Sequence, residues 1–505
     1  MKLRSIFFFA LLPLVLYLAY LLFYFPIHGE IHLSNDIGRD FLLLQELDQK
    51  KIVLIGPRSN TEGLFHGPLW TYMNYPAYVI SNGDPVTAAW FWAILGIVFL
   101  LTTFFIVRKL FGILPAIAAS LLLSVRLIPH INSVFSPEAM FFFVPFFLFT
   151  ITRYIESKKA IFLAFHLITG AIFVQLNIGV GILFLLMSSF LSIGFIIKNK
   201  LWKHLLAFLV VPLFLSNFIA FDIRHDFRML KAILNLGNSS DFIIPFKDWI
   251  QDRLNNTVSI QLLSDTTNLL LFVYAVFALV VVATIMRIKN DAKVRTVYLV
   301  LLFYYFGYMV LSFFNKGIML YHYIHLLIPL TTIWFVSFLK GPYKIVFAIV
   351  VFIVFLLNFN FSLQWVSSTQ DSIVGKSRDS WTALKNVANS ITDAEKGKEF
   401  GYFVFSPDSY AYQQRYAMIY AFKKSNAKAF EYVKKPITYV IASPPPENDP
   451  YMTYVWWVRN QVKISSISLA TKKFPGGYTT EKFNLNKEEQ KVPFDNNIKL
   501  GISFR

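Results

Sequence analysis

Chemistry-bearing residues gather in one polar stretch of the chain, residues 28–85, at two nodes. The first reads Ser34-Asn35-Asp36-Ile37-Gly38-Arg39-Asp40, the second Phe65-His66-Gly67-Pro68-Leu69-Trp70. Asp36 and Asp40 are four apart, so a helix places them on one face, with Arg39 three residues from Asp36 and beside both. A carboxylate near an apolar interface can act as a general base, while a neighbouring guanidinium keeps it ionised and offers a planar fork for phosphate. His66 adds an imidazole ahead of a stiff Gly-Pro turn. The bland reading of the first node is an interfacial helix, Asp40 to Asp48, with its acids facing water, and spacing alone leaves both readings open.

The elements that must hold these nodes follow from composition. The chain has 505 residues, 56% of them hydrophobic, 18% aromatic and only 15% charged. With a mean hydropathy of +0.54, that balance excludes an ordinary soluble protein and predicts a polytopic membrane protein. The formal charge of +18 raises the question of nucleic acid. Many of the Lys and Arg residues lie in short links between apolar runs, however, where topology accounts for them and no nucleic-acid partner is implied. The absence of cysteine removes thiol nucleophiles, disulfides and Cys-ligated metal sites.

A helix needs roughly 20 apolar residues to cross the hydrocarbon. On that ruler about eleven spans are expected, near 5–25, 86–107, 110–126, 137–152, 160–177, 179–197, 205–221, 267–286, 297–314, 318–338 and 344–363. Basic links fall at every second connection: Lys2/Arg4, Arg108/Lys109, Arg153/Lys158/Lys159, Lys198/Lys200/Lys203, Arg287/Lys289/Lys293/Arg295 and Lys340/Lys344. The Lys/Arg excess marks the cytoplasmic side. The N-terminus is therefore expected inside, with the 28–85 loop, the 127–136 turn, the 222–266 segment, the Asn315-Lys316-Gly317 turn and the C-terminal tail outside. The turn at Leu176-Asn177-Ile178-Gly179 is very tight, and one limb of that pair could be re-entrant.

Beyond about residue 364 the sequence turns polar, which marks a second domain, 365–505, against a first, 1–364, that includes the 28–85 loop. In the tail, Ser380 to Ile391 and Ser409 to Lys424 have helical spacing. Tyr402-Phe403-Val404-Phe405 and Ile437-Thr438-Tyr439-Val440-Ile441 read as strands, so a small α/β extracytoplasmic domain is expected.

The apolar runs carry almost no ionisable groups apart from His166 and His325, which argues against an ion-coupled transporter. His166 reads as a hydrogen-bonded helix-packing residue. The charged groups collect instead on the expected outer face: Asp36, Arg39, Asp40, Glu62 and His66; His130 and Glu138; Asp222, Arg224, His225, Asp226 and Arg228; Lys316 and His322. Such a ring suits a substrate that is lipid-borne and anionic. Arg224 and His225 can grip a phosphate or simply pair with Asp222 and Asp226, and Lys316 and His322 stand in the same position. Tyr72, Tyr75 and Tyr78 read as interfacial anchors. The histidines show no metal-ligand spacing, so no metal cage is expected; a divalent cation is left open because Glu138, distant in sequence from Asp36 and Asp40, is free to meet them in space.

At these residues the sequence resembles the GT-C superfamily of membrane glycosyltransferases, in particular the family 39 group of protein O-mannosyltransferases, lipid A aminoarabinose transferases and bacterial relatives. In that group the first outer loop carries an Asp followed three residues later by Arg, here Asp36 and Arg39. A Lys-Pro-Pro-Leu-type segment follows, here His66-Gly67-Pro68-Leu69-Trp70, with histidine where the group often has lysine. A second acid at the outer end of the fourth span is matched by Glu138 in Ser136-Pro137-Glu138, and the Phe221-Asp222-Ile223-Arg224-His225 run is similar to a segment of bacterial relatives.

The resemblance implies a GT-C-like transmembrane domain and an inverting hexosyl- or pentosyltransferase in the plasma membrane of a bacterium or archaeon. Its donor would be a polyprenyl-phosphate sugar and its acceptor a lipid, glycan or protein hydroxyl. Asp36 would be the base, with Asp40 and Glu138 as further acids, and Arg39 and His66 would be ligands of the phosphate. Two other classes remain as alternatives, a lipid-linked sugar flippase and a non-catalytic lipid-binding envelope protein. A flippase for large anionic headgroups needs a polar central cavity, which these spans do little to line.

Overall fold

A computed structural model of the chain describes residues 2–59, 61–235, 245–314, 318–407, 410–444 and 454–499. Packing divides the chain into two compact units. The first comprises Met1–Leu22, Ile52–Met73 and Trp92–Trp365, the second Phe23–Lys51, Asn74–Phe91 and Val366–Arg505. The 28–85 loop is thus shared: its first helix and part of its second pack with the tail, and only 52–73 packs with the spans.

Six helices among the described residues are long and apolar enough to cross a membrane, all of them wholly or mainly in the first unit: Pro85–Phe111, Glu138–Ser157, Ile178–Asn199, Leu270–Asn290, Ala292–Ser312 and Lys344–Ile373. Trp202–Phe214 and Ser216–Arg224, bent by 51°, make a seventh if they form one span. The other expected positions hold the 21-residue helix Lys2–Leu22 and the shorter apolar helices Ile113–Leu127, Ala160–Leu176 and Leu327–Leu339. At about 1.5 Å per residue a 15-residue helix covers only about 22 Å, less than the ~30 Å hydrocarbon. The expected order of apolar helices is therefore present, while the count of eleven crossings is not confirmed by helix length.

The spans are apolar on all sides because one side meets lipid and the other meets protein. Phe190, Leu271 and Phe352 are exposed, whereas Tyr304, Tyr305, Tyr308 and Trp334 are fully buried. Without a hydrophobic drive between helices in lipid, close approach and hydrogen bonds hold the bundle. Both are present. A Cβ on Gly181 would lie 2.2 Å from Val174 N, so the Ala160–Leu176 and Ile178–Asn199 helices touch backbone to backbone. His166, as its sequence setting predicts, is a packing residue: its Nε2 bonds Ser188 Oγ and Tyr304 OH, each at 2.9 Å, and its Nδ1 donates to Phe147 O at 3.2 Å. Asn177 ends one helix and starts the next, with its Oδ1 accepting from Val180 N.

The second unit contains a five-stranded sheet. The strands are β1 Glu399–Phe405, β2 Lys428–Glu431, β3 Ile437–Ala442, β4 Ala470–Lys473 and β5 Thr479–Asn484, in the order β2-β1-β3-β5-β4. β1 pairs parallel with β2 and β3, while β5 pairs antiparallel with β3 and β4. β1 and β3 are the two strands expected from sequence; buried on both faces, they read as apolar runs. Phe403, Phe405, Val440 and Ala442 pack with Trp457, Val458 and Phe483 on one side. Ile441 faces Leu384, Val387, Ala417 and Met418 of the Trp381–Ala394 and Tyr412–Ser425 helices on the other. β4 and β5 escape pattern reading because β4 is exposed throughout and rich in lysine, the composition of a protected edge.

Glu489 ties the end of this unit together. Burial acts to raise its carboxyl, but donors from Ser466 and Ser465 outweigh that and bring it down to about 2. Its Oε1 accepts from Ser465 N at 2.9 Å, Ser465 Oγ at 2.7 Å and Ser466 N at 2.7 Å, and its Oε2 from Ser466 Oγ. A carboxyl depressed in the folded state stabilises above its unfolded value and loses that contribution as pH falls toward the folded one. Glu489→Gln is expected to cost about 2 kcal/mol at neutral pH. Amide exchange across 464–491 of the full-length protein should then run roughly 10-fold faster or more in the variant, with the gap closing as pH drops from about 4.5 toward about 2.

Candidate active site

The first node folds as a helix, Asn35–Lys50, longer at its start than the Asp40-to-Asp48 element the sequence suggests. Ser34 caps it by accepting from Ile37 N, so Asp36 stands in the first turn, where the helix dipole favours a negative charge. Ile37, Phe41, Leu44 and Leu47 form the buried face, and Lys51, in the left-handed region at φ 64°, ends the helix. Arg39 reaches back one turn to place Nη1 2.9 Å from Asp36 Oδ1. Its Nη2 lies 3.5 Å from Asp40 Oδ1.

Spacing puts both acids on one face, but their surroundings differ. The Asp36 side chain is 52% exposed, whereas those of Arg39 and Asp40 are each 12% exposed. One carboxylate is open and the other helps fix the guanidinium from behind. The Arg39 Nε is buried and makes no hydrogen bond among the described residues.

The tail holds this helix in place from within the same unit. The Asn35–Lys50 helix lies against Tyr412–Ser425, with the Phe41 and Tyr416 rings 5.0 Å apart and Tyr412 N donating to Asn35 Oδ1 at 3.0 Å. At Gly38 the two helices are so close that a Cβ would sit 2.6 Å from Gln413 N and 2.8 Å from Gln413 Cα. Tyr75 OH donates to Asp48 Oδ1 at 2.9 Å, and its ring stacks on Tyr78, so these tyrosines act as structural anchors. Tyr72 does the same in the first unit through Val53.

His66 belongs to the first unit and is buried. Its Nδ1 accepts from Ile178 N at 3.2 Å, at the start of the Ile178–Asn199 helix, which places the ring proton on Nε2. Gly67 N donates to Gln175 O at 2.7 Å, and a Cβ on Gly67 would fall 1.7 Å from Gln175 Oε1, so only glycine fits this turn. Phe65, the neighbour of His66, packs with Phe221, Met229 and Val174.

Arg224 and His225 are exposed. The His225 ring stacks on Phe221 at 4.1 Å, while Asp222 receives Met229 N and Leu230 N and so caps the following helix instead of pairing with its neighbours. Lys316 lies outside the described residues. His322 packs its ring edge against Phe135, 5.5 Å between centroids. Glu138 meets His325, with Oε1 3.5 Å from Nδ1. Asp36 and Asp40 thus belong to one unit and Glu138 to the other.

Two buried cations went unnoticed in the sequence. Arg126 is 2% exposed and donates to Ser264 Oγ at 2.8 Å, Asn358 Oδ1 at 3.3 Å and Ile260 O at 2.6 Å. Its position at the end of an apolar run was the available signal. Arg253, fully buried, pairs with Asp252 and donates to Ser312 O, and nothing in its local sequence marks it.

A series of apolar helices, a capped acidic helix in the loop after the first of them and an α/β unit at the C-terminal end define a polytopic membrane protein with a small C-terminal α/β part. Over nearly its whole length the chain is similar to ArnT from Cupriavidus metallidurans bound to undecaprenyl phosphate, at a TM-score of 0.56 and 9% identity, covering 95% of this chain and 98% of that one. The apo state of the same ArnT matches at a TM-score of 0.57 and 10% identity, with the same coverage. No protein-family model matches the sequence, and no curated protein does. At this identity the likeness is one of fold, and at that level it upholds the resemblance drawn from the motifs.

Proposed function

We propose that the chain is an inverting glycosyltransferase that moves a sugar from a polyprenyl-phosphate carrier to an acceptor hydroxyl on the outer side of the membrane. One observation carries the reading: an open carboxylate, Asp36, sits 2.9 Å from a largely buried guanidinium on a capped helix, inside a fold shared with a protein solved with undecaprenyl phosphate bound.

In this mechanism Asp36 takes the proton of the acceptor hydroxyl as that oxygen attacks the anomeric carbon. The bond from that carbon to the phosphate oxygen breaks, and the polyprenyl phosphate leaves with the electron pair. Attack from the opposite face inverts the anomeric centre. Arg39 meets the charge that develops on the leaving oxygen with donors already in place, and Asp40 is a positioning residue that holds the fork. His66, Arg224, His225, Lys316 and His322 are secondary candidates for the phosphate. The N-terminus is placed in the cytoplasm and residues 365–505 outside, on the alternation of basic links.

The test is transfer from a radiolabelled polyprenyl-phosphate sugar by the purified full-length protein, scored as glycosylated product and free polyprenyl phosphate formed in equal amounts. Arg39→Ala is expected to lower kcat/KM by about 10²- to 10³-fold, and Arg39→Lys to recover part of it, since a point charge replaces the fork. An Arg39→Ala enzyme as fast as wild type would remove the proposed phosphate ligand.

A further inference from the structure

The first unit contains a cluster that the proposed transfer does not use. The His130, Glu138 and His325 side chains converge so that one ligand atom from each lies within 4.8 Å of the others. They come from three separate segments: the turn after Ile113–Leu127, the start of the helical stretch Glu138–Ser157, and the residue after the Tyr321–Ile324 helix. The two imidazoles are 4.8 Å apart between centroids at 62°, and His325 Nδ1 is 3.5 Å from Glu138 Oε1. His325 is 3% exposed, and its Nε2 has no hydrogen-bond partner among the described residues.

We infer that His130, Glu138 and His325 form a binding site for a divalent transition-metal ion of the zinc class. Two imidazole nitrogens and one carboxylate oxygen are the donor set that such ions take in sites with three protein ligands, where a further position stays open to water or an anionic oxygen. The ligand atoms are somewhat more widely spread than metal bonds of about 2.0–2.2 Å require, so each side chain closes slightly on the ion.

The outer contacts suit that role. Tyr321 OH bonds His130 Nε2 at 3.0 Å, which leaves Nδ1 to face the ion and fixes the ring plane, as hydrogen-bonded partners of metal-bound histidines do. The Tyr321 ring also lies edge-on to His325 at 4.0 Å, so one residue orients two ligands. Arg126 places positive charge toward the same cluster. That charge works against a bare cation and favours an anion on the open position. This site differs from the Asp36, Asp40 and Glu138 combination that the sequence leaves open, because its nitrogens come from two histidines with no metal-ligand spacing.

Purified full-length protein is incubated with zinc or with cobalt, desalted and assayed for bound metal, without any activity measurement. About one equivalent is expected, and the cobalt form should show the visible absorption of a nitrogen- and oxygen-ligated ion. Glu138→Gln with His325→Gln should weaken zinc binding by at least about 100-fold, and Tyr321→Phe, which leaves all three ligands in place, by about 10-fold. Wild-type protein that retains neither ion overturns the proposal. So does a double variant, monodisperse and helical by circular dichroism, that binds zinc as tightly as wild type. Should the double variant fail to fold, the wild-type cobalt spectrum and the Tyr321→Phe shift decide the question: a cobalt form without that absorption, or zinc affinity unchanged in Tyr321→Phe, overturns it.

Discussion

Asp36→Asn is expected to lower sugar transfer by about 10³-fold or more, equivalent to ~4 kcal/mol at the transition state, while donor binding and folding stay near wild type. The substitution keeps shape and volume and removes only the ability to accept a proton. Asp36 is half exposed and its closest cation is Arg39, so no buried network collapses when its charge goes. Arg39 keeps its second carboxylate, Asp40. The discriminating measurement is the split between steps: polyprenyl-phosphate sugar should bind the variant with a similar Kd, and product should not form. An Asp36→Asn enzyme that turns over normally would eliminate the proposed base and with it the proposed transfer chemistry.

Gly38 should show a large effect as well, by another route. Alanine is intrinsically better in a helix interior than glycine by about 1 kcal/mol, so on local grounds Gly38→Ala should stabilise. The tertiary contact reverses the sign. The added methyl would meet the backbone of Gln413 at 2.6–2.8 Å, and backbone cannot rotate out of the way as a side-chain tip can. The Asn35–Lys50 helix must then back off from Tyr412–Ser425, at a cost of about 1–3 kcal/mol for overpacking. It carries Asp36 and Arg39 with it, and a displacement near 1 Å at reacting groups can cost about 10²-fold in rate. Gly38→Ala is accordingly expected to lose about 10²-fold in transfer with both proposed catalytic side chains present, and Gly38→Val to lose more and to expose the tail to protease. Wild-type rates in Gly38→Ala would mean that this helix contact does not position the pair.

These two predictions mark where sequence reading succeeds and where it stops. The Asp36–Arg39 pair was legible because three residues on a helix is a local distance, fixed by the helical turn whatever else the chain does. The apolar helices, the two central strands of the tail and the packing role of His166 were legible for a like reason, since each follows from a short-range pattern in lipid or in a core. Asp40 shows the limit. Spacing placed it beside Asp36 on one face, yet burial made one acid open and the other a support for Arg39.

The remainder was set by contacts between segments far apart in the chain. Nothing around Gly38 announces Gln413, and nothing around Glu138 announces His325, because packing alone decides which distant backbones touch. Composition and periodicity determined by themselves that this is a many-helix membrane protein with an acid–guanidinium pair on its first loop and a small α/β tail. Only the tertiary structure decided that the loop helix leans on the tail and that two histidines and a glutamate converge. Helical and strand periods act over a few residues, whereas side-chain convergence depends on the mutual fit of whole helices.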